Sequence, residues 1–173
     1  MHNGHIAFAL RAAKQLELDK VFFLPERQPR TKKIVTSFEH RFEMLKLATE
    51  AHKNLEVLQV AGKHFSVNST LPKLKAIFPG MALNLLVGSD IAKLLPSWNK
   101  ADLLLKAMDL VIGLRNSDAQ QDLQKKLSKL SKVDNLHFIK SPQLNISSDK
   151  VRRKQQLAVP VKVIEYIQIQ KLY

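Results

Sequence analysis

Leu83-Asn84-Leu85-Leu86-Val87-Gly88-Ser89-Asp90 is the stretch that decides the fold. Residues 83–87 are apolar except for Asn84 and stop at a Gly-Ser-Asp turn. A short run without polar alternation reads as a strand buried on both faces, as in a parallel sheet covered by helices. The pattern recurs at Val21–Leu24, stopped by Pro25, and at Leu55–Val60, Leu110–Leu114 and Leu136–Ile139. Helical spacing fills the intervals: 5–17, with Ile6, Ala9, Leu10, Ala13 and Leu16 on one face; 38–52, behind Ser37 as N-cap; and 67–78, with Pro72 in its first turn. Short helices at 89–95 and 99–106 flank Pro96-Ser97-Trp98, and further helices follow at 117–131, 147–156 and 161–170. The alternation predicts an α/β fold: a doubly wound, Rossmann-like parallel sheet in a single domain, 1–173, closed by C-terminal helices. Ligands of such folds bind beyond the carboxyl ends of the strands. Those ends carry Pro25 and a basic loop, Gly88-Ser89-Asp90, Arg115 and the loop 140–148.

The 173 residues suit one compact domain. The absence of cysteine excludes disulfides, zinc–thiolate sites and thiol nucleophiles, and fits a cytoplasmic location. No apolar run approaches the roughly 20 residues of a membrane helix, so no membrane partner is expected. Residues 1–5 do not resemble a signal peptide. Basic residues outnumber acidic ones 28 to 15, a net charge of +13. This favours anionic partners, namely nucleotides or weak nonspecific contacts with nucleic acid; solvated surface lysine is the other reading. Two basic clusters lie beside informative residues, Arg27–Lys33 and Lys150–Lys154.

His2-Asn3-Gly4-His5 opens the first helix. A helix start presents unpaired N–H groups and partial positive charge, both suited to phosphate. Gly4 allows close backbone approach, and the imidazoles can donate to phosphate oxygens as charge develops. The other reading is a chain terminus that happens to contain histidines. Ile146-Ser147-Ser148-Asp149-Lys150-Val151-Arg152 offers a second phosphate site. Ser147 or Ser148 would cap a helix and Arg152 would fork onto phosphate oxygens one turn in. Alone, it also reads as an ordinary cap before a basic helix.

Together, HxGH near the start and ISS-x-x-[IV]-R near the end resemble the paired motifs of adenylyl-transferring nucleotidyltransferases. Within that superfamily the chain resembles the nicotinate-nucleotide adenylyltransferase family almost throughout. Leu24-Pro25 with Gln28-Pro29 and Lys32-Lys33 is similar to its basic loop. Arg41, Met44-Leu45 and Leu47-Ala48 match its "R–ML–LA" helix, and Ser69-Thr70-Leu71 ends a segment similar to its "YT–DTL". Gly88-Ser89-Asp90, Trp98, Arg115 and the closing Val159-Pro160, Val163, Tyr166-Ile167 and Leu172-Tyr173 follow in order.

The resemblance implies in-line attack of a pyridine mononucleotide's phosphate on the α-phosphorus of ATP, with Mg²⁺ neutralising charge. His2, His5 and Arg152 would be catalytic. Gly4, Lys33 (with Lys32), Ser147 and Ser148 would bind ATP. Trp98 would stack on the pyridine, with Asp90, Thr70 and Ser89 completing the substrate site; a core tryptophan is the other reading of Trp98. Two alternatives stand beside this one: a pantetheine-phosphate adenylyltransferase, and a degenerate homologue that binds nucleotide or RNA without turnover. The family has a first strand and a Gly-[TS]-Phe-Asp-Pro turn before HxGH, whereas this sequence begins at Met1. The form with these residues alone is therefore expected to be unstable or nearly inactive. Asp149 stands where the family has threonine, and the departures in 65–71 leave the choice of nicotinate or nicotinamide mononucleotide open.

Overall fold

The structure, a computed structural model, describes residues 2–29, 36–115, 119–130, 133–140 and 159–172. In chain order the elements are α1 (Asn3–Gln15), β1 (Val21–Phe23), α2 (Phe38–Thr49), β2 (Leu55–Val57), α3 (Thr70–Ile77) and β3 (Asn84–Gly88). They continue with α4 (Ser89–Ala92), α5 (Ala101–Ala107), β4 (Asp109–Leu114), α6 (Gln120–Leu127), β5 (Leu136–Lys140) and α7 (Val161–Ile169). Every strand pairing among the described residues is parallel, giving the expected α/β class. The chain forms two compact units, Met1–His64 with Asn145–Tyr173, and Phe65–Leu144.

In the first unit β1 and β2 pair from Val21↔Leu55 to Phe23↔Val57. One more bond, from the Leu58 N–H to the Phe23 carbonyl (2.9 Å), ends the ladder. Pro25 has no N–H with which to extend it, so the strand expected over 55–60 is only three residues long. α1 buries Ile6, Ala9, Ala12 and Ala13. It begins at Asn3, two residues ahead of the sequence expectation, and ends in a turn through Glu17 (φ 50°). Ser37 caps α2 as expected, its Oγ accepting the His40 N–H at 3.4 Å. α2 is tied to α7 by the His40 Nδ1–Tyr166 hydroxyl contact (2.8 Å) and by the Lys162–Glu50 ion pair (2.7 Å).

In the second unit β4 lies between β3 and β5. Leu110, Val111 and Ile112 are fully buried. Leu110, Ile112 and Leu114 join a core with Leu95, Leu104, Leu105, Leu123 and Leu127, while Val111 points to the opposite face by strand alternation. This explains why the strand carries no charged or polar side chain from Leu110 to Leu114, rather than alternating apolar with polar.

Several helices differ in extent from the sequence reading. α3 starts at Thr70 rather than at 67, because Pro72 clashes with the preceding turn unless it sits in the first one. The helix expected over 89–95 stops at Ala92 and gives way to a 3₁₀ turn, Leu95–Ser97, around Pro96. α6 spans 120–127 within the expected 117–131: only Leu123 and Leu127 are buried, and residues 128–130 form a turn. The helix expected over 147–156 lies outside the described residues. Ile112→Ala is expected to lower stability by about 2–5 kcal/mol. Urea unfolding would register it as a lower midpoint with an unchanged slope.

Candidate functional site

His2 is the N-cap of α1, with extended backbone (φ −142°, ψ 165°), and His5 is its third residue. The turn brings the two imidazoles together, ring centres 3.9 Å apart and planes 38° from parallel. His2 is only 3 % exposed and Gly4, between the rings in sequence, is buried. The His5 N–H donates to the His2 carbonyl at 3.0 Å, and the His2 N–H donates to His5 Nδ1 at 3.4 Å. Because Nδ1 accepts, the proton of a neutral His5 ring sits on Nε2, which makes Nε2–H the ring's donor. No acidic residue lies in the first turn. The positive end of a 13-residue helix is thus left without a carboxylate of its own.

Arg27, in the stretch after β1, stacks its guanidinium over the Phe38 ring at 4.3 Å and lies 3.9 Å from the Glu39 carboxylate. Glu39 titrates below the ordinary glutamate value, chiefly because its own backbone N–H donates to it, with the Ser37 hydroxyl, Arg27 and Arg41 adding to the effect. The stability this lends is present above the ordinary value and is lost as pH falls through the lowered one. Lys33, Ser147, Ser148 and Arg152, with Asp149, lie outside the described residues.

In the second unit the carboxyl ends of β3 and β4 carry Gly88-Ser89-Asp90 and Arg115. Asp90 Oδ2 pairs with an Arg115 nitrogen at 2.7 Å, both side chains about half exposed. Such a pair contributes about 0–1 kcal/mol to stability. Ser89 is 1 % exposed, and its Oγ has no hydrogen-bond partner among the described residues. Thr70 is buried, and its Oγ1 accepts the Ser66 N–H at 3.0 Å, closing the turn before α3 while leaving its own hydroxyl proton to donate. Trp98 is half-buried, packed at the edge of the core with its ring 6.0 Å from that of Phe65. Among the described residues no group of three or more His, Asp or Glu is placed to hold a metal, and no helix is long and apolar enough to cross a membrane. A separate groove of about 670 Å³ in the first unit is lined by Ile6, Ala7, Leu10, Leu47, Ala48 and Pro160 among others, and includes neither His2 nor His5.

The sequence pattern of the cytidylyltransferase-like family matches residues 1–154. The Lactococcus lactis protein named "Probable nicotinate-nucleotide adenylyltransferase" is 32% identical over 185 residues, an alignment spanning 100% of this chain and 89% of that protein. A Nostoc protein of the same name is 30% identical over 192 residues, covering 100% and 91%. The chain belongs to the nicotinate-nucleotide adenylyltransferase family. Two Plasmodium falciparum nicotinic acid mononucleotide adenylyltransferase structures, complexed with NaAD and with APC, superimpose with TM-scores of 0.76 and 0.77. Each shares 16% identity and is matched over 100% of this chain and 91% of that one. At that identity they establish the Rossmann-like nucleotidyltransferase fold.

The family motifs gather the histidines into one turn and bring Asp90 to Arg115, an ion pair that spacing does not announce. Arg27 is the cation that motif reading passed over; its only sequence signal is membership of the basic cluster. Gly88 has ordinary extended backbone (φ −72°), and a Cβ built there meets nothing within 4 Å. Gly88→Ala is therefore expected to unfold at the wild-type temperature. If a ligand of this family occupies the open space, the variant binds mononucleotide at least several-fold more weakly, which calorimetry beside a melting curve would separate. In Arg27→Ala the Glu39 carboxyl is expected to return part of the way to its ordinary titration, read by carboxyl NMR.

Proposed function

We propose that the chain transfers the adenylyl group of ATP to nicotinate mononucleotide, yielding deamido-NAD and pyrophosphate, a step of NAD biosynthesis. The observation that carries this reading is the His2–His5 pair at the start of α1, in a chain that its family relatives match from end to end. In this reaction a phosphate oxygen of the mononucleotide bonds to the α-phosphorus as the bond to the β-phosphate bridging oxygen breaks. The departing pyrophosphate takes up the electron pair. No protein nucleophile is required, so rate comes from alignment and from neutralising charge that shifts toward the leaving group.

His5 Nε2–H donates to a phosphate oxygen, and His2 holds His5 from the adjacent cap. Ser147, Ser148, Arg152 and Lys33 grip the triphosphate; Trp98, Asp90, Thr70 and Ser89 receive the mononucleotide. Mg²⁺, bound to ATP, would lower the charge on the triphosphate. Both compact units serve one cytoplasmic nucleotidyltransferase domain.

The test is to incubate the protein with Mg·ATP and nicotinate mononucleotide and follow dinucleotide and pyrophosphate together. His5→Ala is expected to lower kcat by about 10²–10³-fold, the usual loss for one donor to developing charge. Nicotinamide mononucleotide and phosphopantetheine are expected to be poorer acceptors. Equal formation of dinucleotide by His5→Ala, or a preference for phosphopantetheine, would overturn the reading.

A further inference from the structure

Arg41 lies one turn into α2, and its guanidinium makes three backbone contacts, one just ahead of the helix and two in the segment that leaves β1. Nε donates to the Thr36 carbonyl (3.0 Å), one terminal nitrogen to the Glu26 carbonyl (2.7 Å) and the other to the Arg27 carbonyl (2.9 Å). One planar side chain thus ties the segment leaving β1 to the residue just before the Ser37 cap. A guanidinium can do this because its N–H donors diverge in a fixed plane; an ammonium offers three donors from a single point. The clamp has a consequence for Arg27. Its backbone is fixed through its carbonyl, and its side chain is held over Phe38, a ring that also lies 5.6 Å from Arg41. Two arginines, tempered by Glu39, therefore meet at the start of α2. In an α/β fold, helix starts and strand carboxyl ends share the ligand-binding edge.

We propose that Arg41 is a positioning residue, which fixes the backbone at Glu26, Arg27 and Thr36 so that the Arg27 guanidinium is presented to the phosphates of a bound nucleotide. Arg27 is the group that touches the ligand; Arg41 acts through it. Nε and both terminal nitrogens of Arg41 each bond a carbonyl, so its charge is felt by the ligand while these three hydrogen bonds belong to the fold. Arg27 exchanges a 3.9 Å contact with an exposed carboxylate for a phosphate, at small cost, because an exposed ion pair is weak. This role rests on the nucleotide reading above but not on any particular acceptor.

The test uses inorganic pyrophosphate and Mg·ATP as probes of the 173-residue chain, with binding measured by calorimetry and backbone amide exchange followed at residues 26–28 and 36–37. Arg27→Ala is expected to weaken pyrophosphate binding about tenfold with unchanged exchange. Arg41→Ala is expected to weaken it similarly while exchange at those residues rises. Arg41→Lys retains the charge and is expected to restore little of either. Lys14→Ala, which removes one exposed charge from the last turn of α1, serves as the control for net charge and is expected to bind as wild type. Should Arg41→Ala not fold, Arg27→Ala and Arg41→Lys still decide the matter. Arg27→Ala binding pyrophosphate as wild type does, or Arg41→Lys behaving as wild type, overturns the proposal, as does a wild-type chain that binds no pyrophosphate. A wild-type chain that binds pyrophosphate but forms no dinucleotide overturns the catalytic reading alone.

Discussion

The parallel register of β4 with both of its neighbours is the constraint from which the second unit follows. Parallel strands must all be re-entered from the same end, so each needs a returning helix, and their carboxyl ends collect along one edge. Burial of β4 on both faces demands a run free of charged and polar side chains from Leu110 to Leu114, and the strand's one charged residue, Asp109, stands at its amino end. Charged side chains at the carboxyl edge are displaced to the first residues beyond it. Asp90 and Arg115 stand there, at the ends of adjacent strands, and their pairing is a consequence of the register.

The first unit solves the same problem with less sheet. Its two strands are three residues long, and much of its order comes from side chains that bond to backbone. Ser37 caps α2, Arg41 gathers three carbonyls, and His5 closes on the His2 amide. A short strand ended by a proline leaves polar backbone groups with no ladder to join, and arginine is the residue best shaped to collect such carbonyls.

The positions of the strands along the chain and the α/β class were readable because hydrophobic runs and helical spacing are local signals. Helix limits were less so. Pro72 told where α3 could begin only once its place in the turn was fixed, and α6 was overextended because a charged helix looks the same whether or not anything packs against its ends. HxGH pointed to a phosphate site at a helix start; that the two rings lie 3.9 Å apart is a contact only the structure gives. The tautomer of His5, the burial of Ser89 and the reach of Arg41 depend on contacts between backbone directions, and no spacing rule encodes those. The roles of Ser147, Ser148, Arg152 and Lys33 are carried by motif alone.

The start of α1 has neither a serine nor an aspartate at its cap, nor a glutamate in its first turn. A protein selected only for helix stability would place a carboxylate there, and the helix would then be electrostatically complete in the free state. Leaving the position to two imidazoles keeps that stabilisation available to whatever anion arrives. Occupancy and folding are then thermodynamically linked: any anion that seats on α1 raises the free energy of unfolding with the logarithm of its concentration, once that exceeds its dissociation constant. The chain is accordingly more resistant to unfolding with such an anion bound than without it, so occupancy of this helix start sets its lifetime as well as its chemistry.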